Sequence, residues 1–196
     1  MTKKILLGIF ILIGLISCTN DDDNNNLDEE AICDSTNTIF SQLYNDLSST
    51  SSNIEETTMD TETHSYNFEV SENKIICQIG YQSLPSFSST PYLIEVYDNT
   101  SNTLLYSDNH IFSSISTDYI SIMPIQILVG HSYTIRRTQN NSGNNVANLI
   151  GRIIYGNSTF PNNFEELTIT SSSFYGGGNP GNDFWGIPYI DIVFQD

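Results

Sequence analysis

Tyr66-Asn67-Phe68-Glu69-Val70, then Ser71-Glu72-Asn73, then Lys74-Ile75-Ile76-Cys77-Gln78-Ile79-Gly80-Tyr81: two β-rich runs with a polar turn between them. In the first run Tyr66, Phe68 and Val70 fall on one side and Asn67 and Glu69 on the other. In the second, Ile75, Cys77, Ile79 and Tyr81 share a side. Successive side chains of a strand point to opposite faces, so this period of two predicts sheets with one face on a core and one in water.

The same texture runs outward to the C-terminus. Further runs are Tyr92–Asp98, Thr103–Ser107, His110–Phe112, Tyr119–Leu128, Ser132–Thr138, Leu149–Tyr155, Glu166–Ser172 and Tyr189–Gln195. Tyr92, Ile94 and Val96 alternate, as do Tyr133, Ile135 and Arg137, and Ile190, Ile192 and Phe194. Turn residues separate the runs at 98–102 and 140–145, and the glycine-rich 176–182 reads as a flexible loop. Pro124 has no N–H for a sheet ladder, so its run is expected at an edge or at a bulge. No repeat of propeller or solenoid length occurs. The expected class is all-β: a single jelly-roll-like or Ig-like antiparallel β-sandwich over residues 65–196.

Upstream the composition turns polar, with one apolar island. Ile39, Phe40, Leu43 and Leu47 follow helical spacing, which predicts a short helix within 32–48, capped by Asp34 or Ser35. Residues 49–64 offer no face to bury and read as a polar linker, and residues 18–31 as an acidic tether. Before them, Lys3 and Lys4 precede an apolar run from Ile5 to Ile16, too short to span a bilayer as a helix and built like a secretory signal. Leu15-Ile16-Ser17-Cys18 resembles the lipobox of bacterial lipoproteins. The resemblance implies cleavage after residue 17, acylation of Cys18 and a membrane-anchored protein. Two or three acyl chains at about 0.8 kcal/mol per methylene make such an anchor lasting. Asp21-Asp22-Asp23 resembles the surface-export signal of Bacteroidetes lipoproteins, which implies a cell-surface address on the outer membrane. Asp34-Ser35-Thr36 resembles the O-glycosylation acceptor of exported proteins of that group, with Ser35 as acceptor.

Cleavage leaves four basic residues, Lys74, Arg136, Arg137 and Arg152, against 23 acidic ones, a net −19 compared with −17 for the full chain. Phosphate backbones and anionic surfaces are repelled by such a body, so nucleic acid is excluded as a partner. Of three cysteines, Cys33 and Cys77 remain beside Cys18. In an oxidising compartment they either pair as a disulfide or stay as two unrelated thiols.

The strand-and-turn order 68–75, 92–98, 104–107, 128–135 and 187–194 is similar to bacterial surface-associated sandwich domains of unknown function. It is fainter in its likeness to the PHR sandwich of Pam/Highwire-type ubiquitin ligases. The resemblance implies the fold and carries no catalytic residue. The chain has no HExxH, GxSxG, Walker loop or Cys-x-x-Cys, and a non-catalytic protein is expected. His64, His110 and His131 lack ligand partners at metal spacing; His131 reads as an exposed turn residue. Gly176–Asp183 lacks the Lys-Ser/Thr ending of a phosphate loop, so no nucleotide is expected.

Asp98, Asn99 and Asn102 offer the oxygen chemistry that Ca²⁺ prefers, without EF-hand spacing, and are the one place a cofactor is considered. Phe174, Tyr175, Phe184 and Trp185 flank the glycine loop. Aromatic faces on loops give rigid contact area for a glycan or an envelope protein, which nominates Trp185, Tyr175 and Asp183. The other reading has Trp185 and Phe184 plugging the sandwich end as core. Arg137 shares the face of Tyr133 and Ile135 and is expected to snorkel from a strand end, with a ligand-carboxylate clamp as the alternative.

Overall fold

The computed structural model describes residues 32–59, 62–85, 89–139, 150–156, 160–176, 179–183 and 186–195. The signal, Cys18 and the acidic tether lie outside the described residues, as do the 140–145 loop, Phe184 and Trp185. The described chain holds one helix, α1 (Ile39–Ser49), and thirteen strands. A seven-stranded sheet has the order β11 (Asn179–Asp183), β10 (Leu167–Gly176), β2 (Thr63–Val70), β7 (Tyr133–Gln139), β4 (Tyr92–Asp98), β5 (Thr103–His110), with β9 (Asn162–Phe164) also on β10. Two three-stranded sheets complete the molecule: β1 (Asn53–Met59), β8 (Ile150–Gly156), β12 (Gly186–Pro188), and β13 (Asp191–Phe194), β3 (Lys74–Tyr81), β6 (Asp118–Ile127). Residues 186–194 pass from one small sheet to the other through Tyr189 and Ile190. Every strand pairing is antiparallel. This is an all-β sandwich.

One core cluster joins Tyr66, Phe68, Ile94, Val96, Tyr133 and Ile135 of the large sheet to Ile76, Ile79, Ile127, Ile154, Ile187 and Ile192 of the small ones. Burying a side chain of this size contributes about 1.5–3 kcal/mol, so these alternating positions supply the driving force for the fold.

The second run departs from simple alternation. Ile75 is exposed and Ile76, Ile79 and Tyr81 take the core. The cause is a shift of register at Cys77: Ile76 pairs with Ile125 and Gln78 with Ser121, so residues 122–124 of β6 lie opposite one residue of β3. Pro124 sits in that bulge, on a strand that is also a sheet edge. Against β13, Gln78 pairs with Val193 and Ile76 with Phe194, so Cys77 is one extra residue in β3; one extra residue inverts which face follows it, which period-two counting does not register.

The 49–64 segment is not a linker. All of β1 pairs with β8, and Glu55 bridges to Arg152. Pairing through the backbone asks for no apolar face. The compact unit accordingly begins at residue 31 and takes in α1 and β1.

The helix is capped by Thr38, whose hydroxyl accepts the Ser41 N–H at 2.9 Å, rather than by Asp34 or Ser35. Asp34 instead closes an Asx turn on Thr36. Phe40, Leu43 and Tyr44 form the buried face of α1, with Ile39 and Leu47 partly buried beside them. The glycine stretch is a hairpin end and not a free loop: Gly176 closes β10 at φ +97°, and Asn179–Asp183 returns as β11. Arg137 does not snorkel. The interior strand β7 continues to Gln139, and the Arg137 side chain is fully buried.

Candidate functional site

On the face of the seven-stranded sheet away from the core, antiparallel register lines up positions from strands distant in sequence. One row runs Glu95, Arg136, Ser65, Ser173, Asp183. Its neighbours run Tyr97, Thr134, Asn67, Ser171 and Leu93, Thr138, Thr63, Tyr175.

Arg136 organises the rows. Its Nε and Nη2 donate to Glu95 Oε2 at 2.9 and 2.6 Å. Nη2 also reaches the Tyr97 hydroxyl at 2.8 Å, and Nη1 the Tyr175 hydroxyl at 3.1 Å. Tyr97 in turn donates to Glu95 Oε1 at 2.9 Å, and the guanidinium carbon lies 4.8 Å from the centre of the Tyr97 ring. Burial, and then the bond to Glu95, push the Tyr97 hydroxyl above its ordinary pKa. Beside this group Asn99 Nδ2 donates to Thr134 Oγ1 at 2.9 Å, and the Thr134 hydroxyl donates to Asn67 Oδ1 at 2.5 Å. Two tyrosine rings are thereby fixed on a polar sheet face, Tyr175 being 37% exposed. A guanidinium with two N–H groups on one Glu95 oxygen and others on two tyrosine hydroxyls has little freedom left, so the rings it holds are preorganised contacts.

Of the nominated residues, Tyr175 belongs to this face. Asp183 stands on β11 opposite Ser173, at a register position in the Arg136 row. Trp185 lies outside the described residues. Phe174, which flanks the same loop, is fully buried with its ring edge-to-face on His64 at 4.9 Å. Cys33 and Cys77 form a disulfide with Cα atoms 6.1 Å apart. Ser35 is half-buried, between the two residues of the Asx turn.

The calcium reading finds its oxygens in use. Asp98 Oδ1 accepts the N–H groups of Thr100 and Ser101, and Oδ2 pairs with His131 Nδ1 at 2.8 Å. Burial alone raises the Asp98 pKa, but the bonds from His131, Ser101 and Thr100 outweigh it and hold it at about 2. His131 is therefore a half-buried hydrogen-bond partner of Asp98 and not the exposed turn residue its context suggested. No group of three or more His, Cys, Asp or Glu able to hold a metal occurs among the described residues.

Sequence reasoning missed a polar hub between α1 and β13. Asp191 is fully buried and accepts from Thr38 (2.7 and 2.9 Å), Tyr119 (2.8 Å) and Tyr189 (3.4 Å). Burial pushes its carboxyl up to about 6 against the pull of those donors. The available signal was Asp191 facing the same way as apolar Val193, with an amphipathic helix upstream to cover both.

Two concavities lie among the described residues. A cavity of about 330 Å³ is lined by Glu55, Gln82, Ser83, Ser114, Gly151 and Arg152; Glu55 is its one carboxylate among the described residues. A groove of about 370 Å³ between the edge strands β5 and β6 is lined by Leu105, Tyr106, Met123, Pro124 and Leu128, with Met123 79% exposed. Neither a protein-family model nor a curated protein matches the chain.

Proposed function

We propose that this chain is an exported lipoprotein, anchored to the outer membrane through acylated Cys18, whose β-sandwich binds a glycan without acting on it. The observation that carries the binding reading is the Arg136 network. It holds Tyr97 and Tyr175 rigidly on an open sheet face beside Glu95, Asn67 and Thr134. Sugars are recognised by such pairings of ring faces, which meet their C–H surfaces, with side chains that bond their hydroxyls. The address rests on Leu15-Ile16-Ser17-Cys18, and the Cys33–Cys77 bridge supports it, because disulfides persist outside the reducing cytosol. Among the described residues no helix is long and apolar enough to cross a membrane.

A surface-glycan array tests the reading. The wild-type chain is expected to retain at least one glycan class, with Tyr97→Ala and Tyr175→Ala each weakening it about tenfold, the loss of one aromatic contact. Retention unaffected by both substitutions sinks the site. Trp185→Ala and Asp183→Ala extend the test to the other two nominated residues. Mass spectrometry of the native protein tests the address: an acylated N-terminal Cys18 is expected, and retention of Met1 overturns it. The same digest reads whether Ser35 carries a sugar.

The second reading is an accessory subunit that docks on another envelope protein. The groove between β5 and β6 favours it. Both strands stand at the edges of their sheets, and the groove between them exposes Leu105, Met123 and Pro124. Met123→Glu separates the two readings, since it abolishes docking and leaves glycan retention intact.

A further inference from the structure

The outer sheet face that carries Tyr97 and Tyr175 is short of positive charge. Among the described residues Arg136 is its one lysine or arginine. Arg137 is turned to the core, Lys74 stands on β3 paired with Glu72, and Arg152 stands on β8 paired with Glu55. Against Arg136 stand Glu95 in the same row, exposed Glu69 beyond Asn67 on β2, and Asp183 at the register position opposite Ser173.

The charge of Arg136 is also already engaged. Nε and Nη2 donate to Glu95 Oε2, Nη2 donates as well to the Tyr97 hydroxyl, and Nη1 to the Tyr175 hydroxyl. A guanidinium has five N–H groups. These bonds leave one, on Nη1, where a carboxylate or sulfate is gripped by a pair. Glu95 is buried, so a guanidinium that left it for a ligand would strand a carboxylate away from water. A new ion pair on an open face does not offset that loss.

An incoming anion therefore meets no ready pair of donors, and it meets Glu69, Asp183 and the field of a chain at −17. Uncharged hydroxyls fare better. Asn67, Thr138 and Ser173, all partly exposed on this face, present amides and hydroxyls that pair with a hydroxyl in either direction.

We infer that the outer face takes an uncharged glycan, and that Glu95 sets this preference by holding the guanidinium that an acidic sugar would need. The inference rests on the glycan reading of the same face and names the chemical class that face accepts. Glu95 acts through Arg136 and is a specificity-determining residue.

The test measures binding of the full chain to plates coated with starch, dextran, galactomannan or mixed-linkage β-glucan. Each polymer is used as its hydroxyethyl ether and as its carboxymethyl ether, which are close in size and differ in charge. At least one hydroxyethyl ether is expected to bind, and its carboxymethyl partner to bind about tenfold more weakly or worse, by repulsion of like charge. Added sodium chloride should narrow that gap, because salt screens exposed charges. Glu95→Gln frees Arg136 and should raise binding to the carboxymethyl ether about tenfold, the effect of one new charged contact. Should Glu95→Gln not fold, the paired ethers and their salt dependence in the wild type decide. Equal or stronger binding to the carboxymethyl ether overturns the inference and leaves the glycan reading standing. A gap unmoved by salt shows exclusion by size and overturns it too, as does a folded Glu95→Gln with no gain. Binding to no polymer in either form removes the glycan reading, and the inference with it.

Discussion

The buried carboxylate of Asp191 makes a prediction whose sign is opposite to that of most acidic residues. An Asp held by hydrogen bonds in a fold usually ionises more easily there than in the unfolded chain. Asp191 ionises less easily, at about 6 against 3.8, because its desolvation outweighs the hydroxyls of Thr38 and Tyr119. Between pH 4 and 6 the folded state therefore holds a proton that the unfolded state has released, and stability contributed by this residue falls as pH rises through that window. At about 1.36 kcal/mol per unit, the change totals about 3 kcal/mol. Asp98, whose pKa is depressed, adds a slope of the other sign at lower pH, so the informative quantity is a difference between proteins. Urea unfolding of wild type and Asp191→Asn at pH 4, 5, 6 and 7 gives it. Asparagine cannot ionise, so the variant should gain about 3 kcal/mol on the wild type from pH 4 to pH 7. A difference that stays constant with pH would show that Asp191 titrates as an ordinary surface carboxyl, and the account of the hub fails.

Three further outcomes follow from packing and covalent structure. Replacing Cys33 and Cys77 by serine opens a loop with a sequence separation of 44 and should cost about 4 kcal/mol in chain entropy, read by urea unfolding. Phe40 is fully buried with ring centres of Tyr44, Tyr66 and Tyr189 between 5.4 and 5.9 Å away; Phe40→Ala should cost about 3–5 kcal/mol, and a loss under about 1 kcal/mol would mean that α1 is not part of the core. Gly130 sits at φ +81°, and no atom lies within 4 Å of the point where a methyl group would stand. Gly130→Ala should therefore lose about 1–2 kcal/mol from backbone strain alone, and an unchanged midpoint refutes the strained turn.

How far the residues speak for themselves depends on what holds each element. Lys74–Tyr81 and Tyr92–Asp98 end where the texture says they do, because their turns carry residues that sheets reject. Asn53–Met59, Asn162–Phe164 and Asn179–Asp183 carry no such mark. They are polar or glycine-rich and are kept in place by pairing with β8 or β10, partners chosen by the whole fold. The site behaves likewise. Tyr175 is legible as an aromatic beside a hairpin, but its bond to Arg136 spans 39 positions and exists only because β10, β2 and β7 are neighbours. The burial of Arg137 is legible as a phase on Tyr133-Ile135-Arg137. The expectation of snorkelling fails there because nothing local shows that β7 lies in the interior of its sheet.

The bridge between Cys33 and Cys77 also decides how this molecule answers to force. A pull applied to the chain ahead of residue 33 crosses the sulfur–sulfur bond straight to β3, the central strand of its small sheet. The stretch from 34 to 76, with α1, β1 and β2, lies on a slack branch and bears no load. Such a pull would load the sheet and leave the helix at rest.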